Sequence, residues 1–200
     1  MKITTTDSMI QFEYDEAMLQ VIQAALGNLK DQSRQVLKNA VNATAKQAKR
    51  DLAKKAQTTY AVKGTRFTKA MQTQNATTAK PTATINVTGE QLELKDFKVS
   101  PATYKTGSAK PDILKAKVKL SSSMKPLEAG SKAFLVKFQS GHVSVAQRKT
   151  DSRFPLKKLL SNSIPKMVGN EEEVYGVVEP HIYSNLLDNI MKQIERTLKK

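Results

Sequence analysis

Three features of the sequence predict an α+β fold: apolar residues at helical spacing through the first third, threonine- and valine-rich segments of period two through the middle, and a further helical stripe at the end. The expected architecture is a set of long N-terminal helices, a central twisted, mainly antiparallel β-sheet and a C-terminal helix, in one domain overall. Its regions are an arm or strand at residues 1–14, a helical region at 15–59, a β-sheet region at 60–165 with a loop at 100–111, and a C-terminal helical region at 166–200.

Ile10, Phe12 and Tyr14 alternate with Gln11 and Glu13, so residues 3–14 read as a short strand or arm. Asp15 is positioned to cap a first helix in which Ala17, Met18, Val21, Ile22, Ala25 and Leu26 recur three and four apart, until Gly27-Asn28 offers a stop or kink. A longer second helix is expected at 33–58. Its stripe of Leu37, Val41, Ala45, Ala48, Leu52 and Ala56, with Val36 and Ala40 alongside, is rich in alanine, so a neighbour can approach closely.

Residues 60–64 break that helix, residues 65–71 suit a short helical turn, and strands are expected at 72–78, 82–88 and 92–99. Ile113, Ala116, Val118 and Leu120 mark a further strand. Residues 133–138 and 142–147 flank Gln139-Ser140-Gly141, a hairpin signature in which a three-residue loop places glycine where φ must be positive. Residues 154–160 return to the sheet. Asn170 and Glu173 form a capping box, and the adjacent Glu171 and Glu172 suit the positive end of a helix dipole. Pro180 is expected to break or kink that helix, beyond which Ile182, Leu186, Leu187, Ile190, Ile194 and Leu198 form a stripe.

Composition bounds the chemistry. The chain has no cysteine, which removes disulfides, thiolate metal sites and a cysteine nucleophile and suits a cytosolic setting. Its start lacks the apolar run of a signal peptide, and no stretch is apolar for long enough to span a membrane. His142 and His181 are the only histidines and have no carboxylates at ligand spacing, so they read as a hairpin residue and a first-turn helix residue rather than a metal pair. A phosphate-cradling glycine loop and a nucleophile elbow are both missing from the sequence. No catalytic residue, cofactor or metal site is therefore expected, and an enzyme is the least supported class.

The formal charge of +15 is the strongest compositional signal, and it predicts attraction to polyanions or acidic protein surfaces. Between Lys30 and Lys69 there are eleven Lys or Arg against two Asp, a local excess of +9. Lys46, Lys49, Arg50 and Lys54 fall three and four apart, so they align along one side of the second helix. Such a row neutralises phosphates without reading sequence, and its binding falls steeply with salt. A solvated face that keeps the protein soluble explains the same row. The lack of a recognition-helix motif or an aromatic stacking platform restricts any DNA contact to a nonspecific one.

The order of several motifs carries a family resemblance. A basic helix leads to Tyr60-Ala61-Val62-Lys63, then Lys69-Ala70-Met71, then Thr84-Ile85-Asn86-Val87-Thr88-Gly89 and Leu92-Glu93-Leu94-Lys95-Asp96-Phe97. The hairpin follows, then Phe154-Pro155-Leu156-Lys157-Lys158-Leu159 and Ser163-Ile164-Pro165-Lys166-Met167-Val168. From about residue 30 to its end the chain resembles the minor tail protein Z family of tailed bacteriophages and prophages, the tail completion proteins. Residues 104–117 depart from the pattern.

The resemblance implies a structural virion protein of the neck that acts late in tail assembly, at the head-proximal end of the tail, and makes it competent to join a filled head. It implies a homo-oligomer, a ring of six, in contact with the tail terminator or tail tube and with head connector proteins. The protein would reside in the virion, and in the host cytoplasm during assembly. Six copies of +15 bring about +90 formal charges around a channel carrying genomic DNA, which Lys46, Lys49, Arg50 and Lys54 would face. Contacts to neighbouring subunits or rings are expected from the loop at 100–111, through Tyr104 and Lys105, and from the turn at 163–170, through Ser163, Pro165, Met167 and Asn170. The alternative is a nonspecific double-stranded DNA-binding protein, distinguished by retention of duplex at near-physiological salt with a steep salt slope.

Overall fold

The amino-terminal segment is a hairpin in which β1 (Lys2–Thr6) pairs antiparallel with β2 (Met9–Glu13). A computed structural model of the chain describes residues 2–6, 9–13, 16–80, 82–104, 113–128 and 132–199. The strand expected at 3–14 is thus folded back on itself, and the Asp15 cap lies outside the described residues. Ile10 and Phe12 of β2 are buried, as their alternation predicts.

Helix α1 (Glu16–Leu26) buries Leu19, Ile22 and Leu26. Gly27, at φ 54°, then ends it and opens a 3₁₀ turn over Gly27–Gln32. Helix α2 (Ser33–Thr59) follows the sequence closely: all eight residues of the predicted stripe are buried. At 1.5 Å per residue it is about 40 Å long. The short α3 (Arg66–Ala70) runs into β3 (Met71–Gln74), which pairs with β4 (Ala83–Val87). Together with the hairpin they form a four-stranded antiparallel sheet in the order β1-β2-β4-β3.

The strand expected at 72–78 stops at Gln74 because the chain is captured by α2. The Asn42 amide donates to the Ala76 carbonyl at 3.0 Å and accepts from the Ala76 N–H at 2.7 Å. This pair occupies Ala76's backbone groups and takes the chain out of the ladder.

Helix α4 (Ile164–Val168) precedes α5 (Tyr175–Leu198). Asn170 accepts the Glu173 N–H at 2.7 Å, as a capping box requires, but it caps a turn, and regular helix begins only at Tyr175. Pro180 does not interrupt α5. It is the sixth helical residue, so its missing N–H costs a single bond to the Gly176 carbonyl, and the helix continues to Leu198.

The buried edge of α5 is Val178, Ile182, Leu186, Ile190 and Ile194, a strict spacing of four. Leu187 and Leu198, expected in that stripe, are exposed at 59% and 54%. Helices α2 and α5 share a polar tie: the buried Thr44 hydroxyl donates to the Ala40 carbonyl at 2.9 Å and accepts from the Asn189 amide at 3.0 Å.

These elements belong to one of two compact units, comprising residues 1–56, 67–89 and 165–200. The second unit comprises residues 57–66 and 90–164 and is β-rich. In it, β5 (Gln91–Glu93) pairs with β12 (Leu160–Ser163). A three-stranded sheet is formed by β6 (Lys98–Ser100), β7 (Lys115–Lys117) and β8 (Lys125–Pro126). A second is formed by β11 (Leu156–Lys158), β10 (Val143–Arg148) and β9 (Phe134–Lys137), in that order.

The chain is α+β, but its strands make four small antiparallel sheets where one central sheet was expected. The cause is local. A 3₁₀ turn at Leu94–Asp96 divides the expected strand at 92–99, turning Leu94 and Phe97 into the interior. The hairpin of β9 and β10 forms as read, with Gly141 at φ 81° and the Phe138 N–H donating to the His142 carbonyl at 2.8 Å. Most of the loop expected at 100–111 lies outside the described residues.

Gly176 provides a test of the turn into α5. A Cβ at this position would overlap the Glu171 backbone carbonyl, whereas at Gly169 the nearest atom, the Pro165 carbonyl oxygen, would be 3.3 Å away. Gly176→Ala is predicted to cost about 2 kcal/mol or more in urea unfolding, because backbone must shift, and Gly169→Ala markedly less.

Candidate functional site

Sequence reasoning singled out the basic row on α2, and the structure leaves it in solvent. Lys46, Arg50 and Lys54 are exposed, whereas Lys49, one turn beyond the buried Ala45, is half-buried at the border of the packed side of α2. None of the four takes part in a hydrogen bond or ion pair among the described residues. The row is therefore available to an anion.

The other predicted contact residues are scattered. Tyr104 is 40% exposed, and Lys105 lies outside the described residues. Ser163 pairs with Gln91 at the end of β12, Pro165 is half-buried in α4, and Asn170 is engaged by the Glu173 N–H. Met167 is fully buried, so its side chain is core and presents nothing to a partner.

The β-rich unit holds a feature that the row on α2 obscures in the sequence. It carries 17 Lys or Arg and 6 Asp or Glu, a net of +11 of the chain's +15. Within it one carboxylate gathers several polar side chains. The Ser144 hydroxyl donates to Glu93 Oε2 at 2.6 Å, His142 Nε2 lies 3.0 Å from both carboxylate oxygens, and Lys158 Nζ donates to Oε1 at 3.2 Å. Lys95 Nζ lies 3.9 Å from Oε2 and 3.1 Å from His142 Nδ1. The His142 ring stacks on Phe138 at 6.2 Å between centroids, and Lys158 Nζ sits 5.3 Å from the centre of the same ring.

Burial works against the charge on Glu93. The hydrogen bonds from Ser144, His142 and Lys158, with the positive field of Lys158, outweigh it and hold the carboxyl at about 2 against an ordinary 4.5. The partners stand 49, 51 and 65 residues away in sequence, so no local spacing could have revealed them. In the sequence Glu93 is one of three carboxylates, with Glu90 and Asp96, spaced three apart, and nothing local sets it apart from the other two.

A serine, a histidine and a carboxylate in contact invite comparison with an acyl-transfer relay, and their order excludes it. In a relay the imidazole stands between the serine and the carboxylate. Here Glu93 stands between Ser144 and His142, and Ser144 is fully buried. The arrangement ties strands together and places no imidazole against the hydroxyl. Among the described residues no group of His, Asp and Glu is placed to hold a metal ion.

Because the folded-state value for Glu93 lies below the unfolded one, its contribution to stability is present above about pH 4.5 and is lost as the pH falls toward 2. Glu93→Gln is predicted to lower unfolding free energy by about 1 kcal/mol at neutral pH. Chemical denaturation across a pH series should show the difference shrinking to near zero at the acid end.

The described residues contain no helix long and apolar enough to cross a membrane. No curated protein and no solved structure matches the chain. A family profile does, that of prophage minor tail protein Z (GPZ), over residues 19–200. The match covers all of the β-rich unit and all but the first 18 residues of the other, and the chain belongs to the prophage minor tail protein Z family, a family of phage tail structural proteins.

Proposed function

We propose that this protein is a tail completion factor, a non-enzymatic adaptor that assembles as a ring at the head-proximal end of the tail and makes the tail competent to join the head. The observation that carries this reading is the family match over residues 19–200. Ring subunits meet each other, the tail terminator or tail tube on one side and the head connector on the other. Assembly takes place in the host cytoplasm, and the product stays in the virion neck.

Two physical features support a role in assembly. Helix α5 carries Tyr183, Leu187 and Met191 four residues apart on a face exposed to solvent, with Leu187 and Met191 at 59% and 58%. An apolar stripe of this length on an exposed helix fits a subunit contact. The free cations of α2 and the +11 of the β-rich unit supply a positive field that suits a channel through which DNA passes. Contact with that DNA is nonspecific and electrostatic. Tyr104 and Pro165 remain as candidate contacts with neighbouring proteins.

The test is complementation of a phage lacking the gene. Its absence should leave filled heads and tails unjoined, and the wild-type chain should restore joined particles. Leu187→Glu with Met191→Glu should reduce joined particles at least tenfold while the free protein keeps its helical circular dichroism. Joined, infectious particles without the protein would discard the reading. Duplex retention by the free protein at near-physiological salt would favour the DNA-binding alternative.

A further inference from the structure

The three-stranded sheet of the β-rich unit has two edges with different chemistry. The outer strand β11 is preceded by Pro155 and carries Lys157 and Lys158, residues that discourage another strand from adding. The opposite edge, β9, reads Phe-Leu-Val-Lys, three apolar residues in four. Lys137, at its end, is the one residue of that kind it carries.

The backbone of β9 is open over a defined stretch. The pairing of Phe138 with His142 fixes the alternation, so Phe134, Val136 and Phe138 direct their N–H and C=O groups to β10. Leu135 and Lys137 direct theirs outward. One step earlier on the same edge, the Ala133 N–H is taken by the Leu127 carbonyl at 3.0 Å. Beyond it Leu135 and Lys137 have no backbone partner among the described residues. The edge is thus capped at one end and free for the next two outward positions.

A groove of about 760 Å³ runs along this strand, lined by residues 134–140. Its other walls include Tyr104 and Phe154, the latter 65% exposed, with the Arg153 guanidinium 5.6 Å from the centre of the Phe154 ring. The charged residues of the lining are Lys137, Arg148 and Arg153, with no carboxylate among them. An open strand edge, apolar walls and a one-sided positive charge coincide in one place.

We propose that β9 is a docking edge for an extended segment of a partner protein that alternates acidic and apolar side chains and adds to the sheet as a fourth strand. The free N–H and C=O groups of Leu135 and Lys137 pair with the backbone of that segment, and the aromatic walls take its apolar side chains. Its acidic side chains meet Lys137 and Arg153. A second copy of this chain fits less well, because its β-rich unit is itself +11. A nucleic acid would satisfy the cations but leave the strand edge unpaired. The inference stands independently of where in the virion the protein sits.

The probe is a fluorescein-labelled eight-residue peptide alternating Glu and Val, titrated against the full chain by fluorescence anisotropy. Its controls are the fully N-methylated counterpart, a Lys-Val peptide and an eight-nucleotide oligothymidylate. The Glu-Val peptide should bind, and N-methylation, which keeps the side chains but removes every N–H, should weaken binding at least tenfold. Leu135→Pro, which removes an outward N–H at an edge position that tolerates proline, should weaken it similarly with an unchanged melting temperature. Phe154→Ser serves as a second variant whose backbone is untouched. No binding at millimolar peptide, equal binding of the N-methylated form, tighter binding of oligothymidylate, or self-association of the chain that the peptide cannot compete with would each overturn the proposal.

Discussion

The carboxylate of Glu93 is the polar tie that joins β5 to the sheet of β9, β10 and β11. A unit of net +11 tends to repel itself, and Glu93 places a negative charge between Lys95 and Lys158. Glu93, at the end of β5, reaches the sheet of β9, β10 and β11 through Ser144, His142 and Lys158. Backbone bonds reinforce the junction: Leu159 donates to Val145 at 2.9 Å and accepts from Leu94 at 2.8 Å. The same contacts hold Lys158 over Phe138, which fixes one wall of the groove beside β9. One side chain thus links the junction of β5 with this sheet to one wall of the groove.

The helical unit solves a different problem. Its α2 buries alanine at positions 40, 45, 48 and 56, side chains that contribute little apolar area each but allow close approach of neighbouring elements. Two amides make the packing specific. Asn42 holds the backbone after β3, and Asn189 of α5 reaches the buried Thr44 hydroxyl. A buried polar group left without a partner costs about 1–3 kcal/mol, so each tie selects one register for the elements it joins.

What the sequence revealed, and what it did not, follows from the range of the interactions. Helix α2 was legible to within a residue because its stripe repeats every three to four positions over 27 residues. The hairpin of β9 and β10 was legible because a glycine is required at its turn, and Gly141 stands there with positive φ. The division of 92–99 by a 3₁₀ turn was not, since Leu94 and Phe97 can be buried from a strand or from a turn alike. Leu187 was assigned to the buried stripe of α5 because periodicity cannot separate an inner apolar edge from an outer one. The basic row on α2 was visible as a run, whereas the larger surplus of the β-rich unit is dispersed over short strands and emerges only when residues 90–164 are seen as one body. The Glu93 cluster joins residues up to 65 positions apart and has no local pattern.

Family membership makes this a phage tail structural protein, and the exposed apolar face of α5 and the concentration of positive charge are the grounds for the proposed place between other virion proteins and beside DNA. The most direct measurement is electron cryo-microscopy of complete particles carrying a label at the C-terminus of this chain. Density for the label in a closed ring at the junction of tail and head is the predicted result. Label at the distal tip of the tail, or particles that carry none, would contradict it.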